Sequence, residues 1–237
     1  MLFRSLIIEQ DDYNDFVKKD PLSKKYIRPF MGSREFINRK PRHCLWLVHC
    51  PPGELRKMPE VLKRVRACRE DRLRAKDAGR RKLADTPALM REQIEMGTEY
   101  IVIPRVSSER RRYVPIGYVK AEVIVSDAVL IIPGSTLYHF GILTSNVHNA
   151  WMRAVAGRLK SDYRYSKDIV YNNFPWPDPT PEQKALIEKT AAAILHARER
   201  YPQSSLADLY DEAVMPPELR NAHQNNDLAV MRAYGFS

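Results

Sequence analysis

The feature that most limits what this chain can fold into is a run of four prolines, Pro175-Trp176-Pro177-Asp178-Pro179-Thr180-Pro181. Each proline lacks a backbone donor and pushes the residue before it out of the helical region. Elements on the two sides must therefore form separately. The same run also opens the next element. Thr180 is a good N-cap, Pro181 suits the first helical turn, and Gln183 completes a Thr-x-x-Gln capping box. A helix is predicted from there to about Arg200. Ser204 or Ser205 can cap a second through Tyr210, and Pro217 can open a third through about Tyr234. The expected division is a body of residues 1–177 and a small helical unit of residues 178–237.

Charge falls unevenly across that boundary. The 237-residue chain has a formal charge of +10, yet residues 178–237 hold 6 Lys/Arg against 9 Asp/Glu. The body holds 33 basic and 20 acidic residues, a net of +13. Such an excess suits a polyanion, either nucleic acid or an acidic membrane surface. A phosphate-binding surface is expected before residue 178. No stretch reaches the roughly 18 apolar residues of a bilayer span, so no membrane partner is expected. The start, Met1 to Ile8, is interrupted by Glu9, Asp11 and Asp12 and lacks the apolar core of a signal peptide. It reads as a strand entering a core, as in a chain that begins inside a larger architecture. Three cysteines are too few for a disulfide framework, and free thiols fit a reducing cytoplasm.

Within the body, residues 1–50 read as loops with short strands, the clearest being Cys44 to Val48, ended by Pro51-Pro52-Gly53. Residues 54–76 have apolar positions near helical spacing. Between Arg56 and Lys82 stand 12 Lys/Arg and 4 Asp/Glu, which is a solvated face or a phosphate contact. Strands are predicted at Tyr100 to Pro104, Tyr113 to Val119, Glu122 to Ser126 and Ala128 to Ile132. One helix is predicted from about Ser135 to Val155. Asp162 to Pro177 reads as aromatic and irregular. The fold class is α+β: a mixed domain with short strands, followed by the helical unit.

The most informative polar stretch runs from Arg105 through Ser107, Ser108, Glu109, Arg110, Arg111 and Arg112 to Tyr113. Arginine can pair bidentately with guanine, glutamate can accept from cytosine, and serine can serve base or phosphate. A turn presenting all three is equipped to read base edges. An exposed turn with ordinary surface arginines would look the same. The segment from Trp151 to Lys167 interleaves basic and aromatic residues, which suits clamping of a phosphate backbone. Arg158, Lys160, Arg164 and Lys167 are the candidates there, with Arg105, and Trp151 is expected to be buried. Asn172-Asn173-Phe174-Pro175 departs from the Asn-Pro-Pro-Tyr type turn with which amino-methyltransferases hold a target amine. The nine glycines form no cluster for S-adenosylmethionine. A structural turn is expected there. His43-Cys44 and His49-Cys50 lack zinc-finger spacing and read as core packing, with both cysteines on one strand face. No catalytic residue and no metal ligand is assigned.

Several stretches occur in a telling order: Ile103 to Arg111, Phe140-Gly141-Ile142-Leu143-Thr144-Ser145, Gly157-Arg158-Leu159 and Tyr163-Arg164-Tyr165-Ser166. Val170 to Pro177 and Leu206-Ala207-Asp208-Leu209-Tyr210 follow. Together they resemble the C-terminal part of MmeI-like restriction–modification enzymes. Those are single chains with a nuclease region, an adenine-N6 methyltransferase domain, a target-recognition domain and a C-terminal helical region. The resemblance implies base readout near Ser107 to Arg112 and double-stranded DNA as partner. It also implies that the nuclease and methyltransferase, with their S-adenosylmethionine, sit elsewhere on the same or another chain. No cofactor is expected in this chain. The alternatives are a separate specificity subunit that docks on a methyltransferase through its helical tail, and a small nuclease using its acidic residues.

Overall fold

The computed structural model describes residues 4–40 and 42–236. In chain order the elements are β1 (Ile7–Glu9), α1 (Tyr13–Lys19), β2 (Ile27–Met31), α2 (Ser33–Asn38), β3 (Arg42–Leu45), α3 (Pro52–Leu55), α4 (Pro59–Leu73) and α5 (Ala78–Lys82). Then come β4 (Tyr100–Pro104), β5 (Val106–Ser107), β6 (Gly117–Val119), β7 (Ile124–Val125), β8 (Val129–Ile132), α6 (Leu137–Thr144) and α7 (Asn146–Val155). The last are β9 (Gly157–Leu159), β10 (Asp162–Arg164), α8 (Pro181–Glu199), α9 (Leu206–Leu209) and α10 (Pro217–Ala233). The fold is α+β.

Two compact units are present. The first comprises residues 1–31, 40–96 and 122–125; the second comprises 32–39, 97–121 and 126–237. This division does not follow the proline run, because the helices after it pack with the strands and helices before it. The first unit is built on a sheet of order β1-β3-β2-β7, antiparallel except for β2 with β7. One core joins Leu6, Ile8, Phe30, Leu45 and Trp46 to Met58 and, along α4, to Val61, Val65 and Cys68. Ladder pairing in β3 stops at Leu45, short of the Val48 expected, although Trp46 N still donates to Tyr26 O at 2.7 Å. Cys50 therefore lies in the following turn, off the strand that holds Cys44. Burial pushes the Cys44 thiol up to about 12, so it stays protonated and acts as a small apolar group.

The second unit holds two three-stranded sheets, β6-β4-β8 and β5-β10-β9. All of β4 is buried. The predicted helix 135–155 is instead two. Ser145 is extended, with φ −70° and ψ 159°, and its Oγ caps α7 by accepting from His148 N at 3.3 Å. A local side-chain bond here outcompetes continuation of the helix. α6 also packs closely on α8: a Cβ on Gly141 would stand 2.7 Å from Ile187 Cγ2. The capping box at the start of α8 forms as the sequence requires, with Gln183 N on Thr180 Oγ1 at 3.3 Å and Thr180 N on Gln183 Oε1 at 2.9 Å. Ser205 caps α9 in the same manner.

Candidate nucleic-acid interface

The polar stretch after β4 folds as a tight turn. Arg105 N donates to Ala128 O, and two residues of β5 pair with β10, Ser107 opposite Tyr163. Arg111 N then donates to Ser108 O at 3.2 Å, while Arg110 N donates to Ser108 Oγ at 3.3 Å. A serine that bonds to the backbone two residues on is a common turn stabiliser. Glu109, Arg110 and Arg112 are exposed, Ser108 and Arg111 are half-buried, and Ser107 is 3% exposed. Ser107 Oγ and Arg105 Nε are buried without a hydrogen-bond partner. Burial pulls the Arg111 guanidinium below the usual arginine range, and the carboxylates of Asp162 and Asp211 oppose that shift. Arg111 is thus partly desolvated among acidic neighbours.

The β9–β10 hairpin stands beside this turn in the same sheet. Its loop is Lys160-Ser161, and Lys160 sits at φ 57°, in the left-handed region that primed hairpin turns use at their first residue. Residues 157–161 are all exposed. Arg158 ties the hairpin to the turn. Its guanidinium lies 3.8 Å from the Tyr163 ring centroid, donates to Ser161 O at 2.6 Å, and approaches Glu109 Oε2 to 3.5 Å. Arg164 is exposed on the next strand. The fold thereby gathers Ser107, Glu109, Arg158, Lys160 and Arg164, residues more than 50 positions apart at the extremes. Lys167 lies apart, on a π-turn closed by Tyr171 N and Asn172 N on carbonyls five residues back. It lines a largely apolar cavity of about 280 Å³ with Ile103, Leu130, Pro133, Tyr171 and Asn172.

The Asn172-Asn173-Phe174-Pro175 stretch is a structural turn. Phe174 is buried, edge-on to His148 at 4.4 Å and to Trp176 at 5.5 Å. Tyr234 donates to Pro175 O at 2.6 Å. Trp151 is half-buried rather than fully buried, and its indole N–H donates to Val170 O at 2.9 Å.

In the first unit the basic run divides by use. Arg72 is fully buried and donates to the carbonyls of Leu83, Thr86 and Leu89 at 2.7–2.9 Å. Arg64 donates to Ser5 O and Ile7 O and stacks over Phe16. Arg56, Lys57, Arg66, Arg69 and Lys82 remain exposed. Sequence reasoning missed Arg153, whose guanidinium donates to Arg111 O and to Arg112 O at 2.6 Å and so holds the exit of the turn. It also missed His223, Asn226 and Asp227, polar residues at core positions of α10. Their helical spacing with Leu219 and Val230 was the available signal. Among the described residues, no group of three His, Cys, Asp or Glu is placed to hold a metal ion, and no helix is long and apolar enough to cross a membrane.

Comparison with known proteins adds to this geometry. Residues 3–178 match the family described as "MmeI, target recognition domain", and residues 179–237 match "MmeI, C-terminal domain". DNA methyltransferase A of Bacillus subtilis (strain 168) is 40% identical over 229 residues, which is 97% of this chain and 26% of that protein. The type IIL restriction-modification enzyme MmeI, solved in complex with DNA, superposes with a TM-score of 0.96 at 45% identity, over 98% of this chain and 31% of that one. The chain thus spans about a quarter to a third of the length of these relatives.

Proposed function

This chain belongs to the MmeI family, as its target recognition domain followed by its C-terminal domain, and we propose that it reads a short base sequence in double-stranded DNA for an adenine-methylating restriction–modification system. The observation that carries this reading is the exposed turn bearing Glu109, Arg110 and Arg112, fixed in one sheet with the basic β9–β10 hairpin. The three exposed side chains take the base-edge role, because arginine and glutamate match guanine and cytosine edges in the major groove. Ser107, Ser108 and Arg111 shape the turn and reach DNA only at its margin. Arg158, Lys160 and Arg164 hold phosphates, with Arg105 and Lys167 further from the tip.

The methyl transfer named for the Bacillus relative, and the S-adenosylmethionine it would draw on, we assign to the parts of such a protein outside the stretch matched here. The residues described do not fit that cofactor: the turn between β8 and α6 holds a single glycine, Gly134, and no glycine-rich turn joins a strand to a helix. The partner domains stand on the same chain or on another. A cytoplasmic setting goes with this role.

Selection from a randomised duplex library, at two salt concentrations, tests the reading. Enrichment of one short sequence is expected. If no sequence is enriched even at low salt, the chain is not a readout module.

A further inference from the structure

The segment leaving the turn, residues 111–116, lies in neither helix nor strand, yet Tyr113, Val114 and Ile116 are at most 4% exposed. Buried backbone groups must be paired. Here side chains from three helices replace a strand ladder. From α7, Arg153 takes the carbonyls of Arg111 and Arg112, and Asn149 Oδ1 accepts from Val114 N at 3.0 Å. From α8, Arg198 donates to Ile116 O at 2.7 Å. From α10, Asp227 Oδ2 accepts from the Tyr113 hydroxyl at 2.7 Å, and the Tyr113 ring stacks on His223 with centroids 4.1 Å apart. The second Asp227 oxygen accepts from Asn146 N at 2.7 Å. The other donors of Arg198 go to the Tyr210 hydroxyl, which donates in turn to His223 Nε2.

A buried carboxylate and guanidinium are poor choices for stability alone, since their desolvation offsets most of what they gain. What they supply is a set of directional fixings for a segment that has no ladder to define it. We propose that Asp227 and Arg198, both beyond the proline run, are positioning residues for base readout. Through Tyr113 and Ile116 they fix where the turn presents Arg110 and Arg112. The proposal rests on the DNA-reading role of that turn given above. Arg112 adjoins Tyr113 directly, so a shift of the tyrosine is passed to it within one residue. A bidentate arginine–guanine pair demands good alignment, whereas phosphate contacts carry no such sequence information. Loosening these fixings therefore blurs base choice more than it weakens binding.

The test uses the whole 237-residue chain and three variants: Tyr113→Phe, which deletes one oxygen, Asp227→Ala, and Asp227→Asn, which keeps the shape and an acceptor. Each is passed through duplex selection, salt titration of binding, and hydrogen exchange of the amides of residues 108–112. Tyr113→Phe and Asp227→Ala should lower enrichment at the positions read by the turn by about fivefold or more. The salt slope should stay as in the unmodified chain, and the turn amides should exchange faster. Asp227→Asn should keep the preference. If Asp227→Ala does not fold, Tyr113→Phe carries the test. A folded Tyr113→Phe with unchanged preference and unchanged exchange overturns the proposal alone. An unmodified chain without any base preference overturns the reading role, and this proposal with it.

Discussion

In the α4 region, Arg72 lies wholly inside the first unit with its donors on three backbone carbonyls, and Arg64 is half-covered by Phe16 and bonded to two more. In the turn after β5, Arg110 and Arg112 are exposed, Arg112 with its guanidinium 5.6 Å from the Tyr113 ring centroid, and Arg111 is half-buried. The α4 run holds more arginine, but two of its arginines, Arg64 and Arg72, act as internal donors to backbone carbonyls. The turn holds fewer, yet it offers them to solvent from a backbone fixed on both sides. A guanidinium enclosed in the interior and bonded there to carbonyls cannot reach DNA, whereas an exposed one such as Arg158 keeps donors for it even with one carbonyl bound. Counting charges along a segment does not report that.

The largest expected effect breaks or keeps this contrast directly. Arg72→Ala removes a fully buried side chain and its three hydrogen bonds to backbone carbonyls, and should destabilise the first unit by at least about 3 kcal/mol in urea denaturation. Arg66→Ala, on the exposed side of α4, should stay within about 0.5 kcal/mol. Equal effects would erase the distinction between internal and external arginines.

A second expectation separates the units by pH. Burial lowers His148 to about 3 and holds His223 well below its ordinary value; both lie in the second unit. The fold thus favours the neutral rings. Above about pH 6.5 this carries no penalty, because the unfolded chain is neutral there too. Below it the unfolded chain binds protons that the fold refuses, and each ring removes about 1.4 kcal/mol per pH unit. Asp227, pushed up by burial, opposes this closer to the carboxylate range. Site-resolved hydrogen exchange at pH 7 and pH 5 should show the second unit losing protection first. If the first unit loses protection first, the two histidines do not govern acid stability.

Two smaller effects sharpen the turn itself. Arg110→Ala or Arg112→Ala should relax base preference at one position, by about 1–3 kcal/mol, in duplex selection. Arg158→Ala should weaken binding evenly across sequences and lower the salt slope by about 1. Since Arg158 also holds Glu109 at 3.5 Å, Arg158→Lys separates the charge from the stacking on Tyr163. Uniform loss in all of these variants would mean that the turn does not read bases.

Local signals in the sequence were legible wherever the physics is local. The proline run, the Thr180 capping box and the start of α10 at Pro217 appear in the structure where residue chemistry puts them. The break at Ser145 was not legible, because an apolar run of helical spacing conceals a serine that caps a new helix. The strand expected over Tyr113 to Val119 forms only at Gly117–Val119, and the reason for its shortening is non-local. The backbone partners of its missing part are side chains 35 to 82 positions away along the chain, and periodicity carries no trace of them.

By itself the sequence determined that the body is basic, that the helical tail is a separate run of elements, and that a turn of serine, glutamate and arginine suits base edges. Composition and capping depend only on residues and their near neighbours, so they survive without a fold. Tertiary structure alone decided which arginines are free, and that the hairpin stands beside the turn. It also decided that tail helices reach back to hold residues 111–116. Each of those depends on which donors meet which acceptors across the chain, and burial then makes every unmade pair costly.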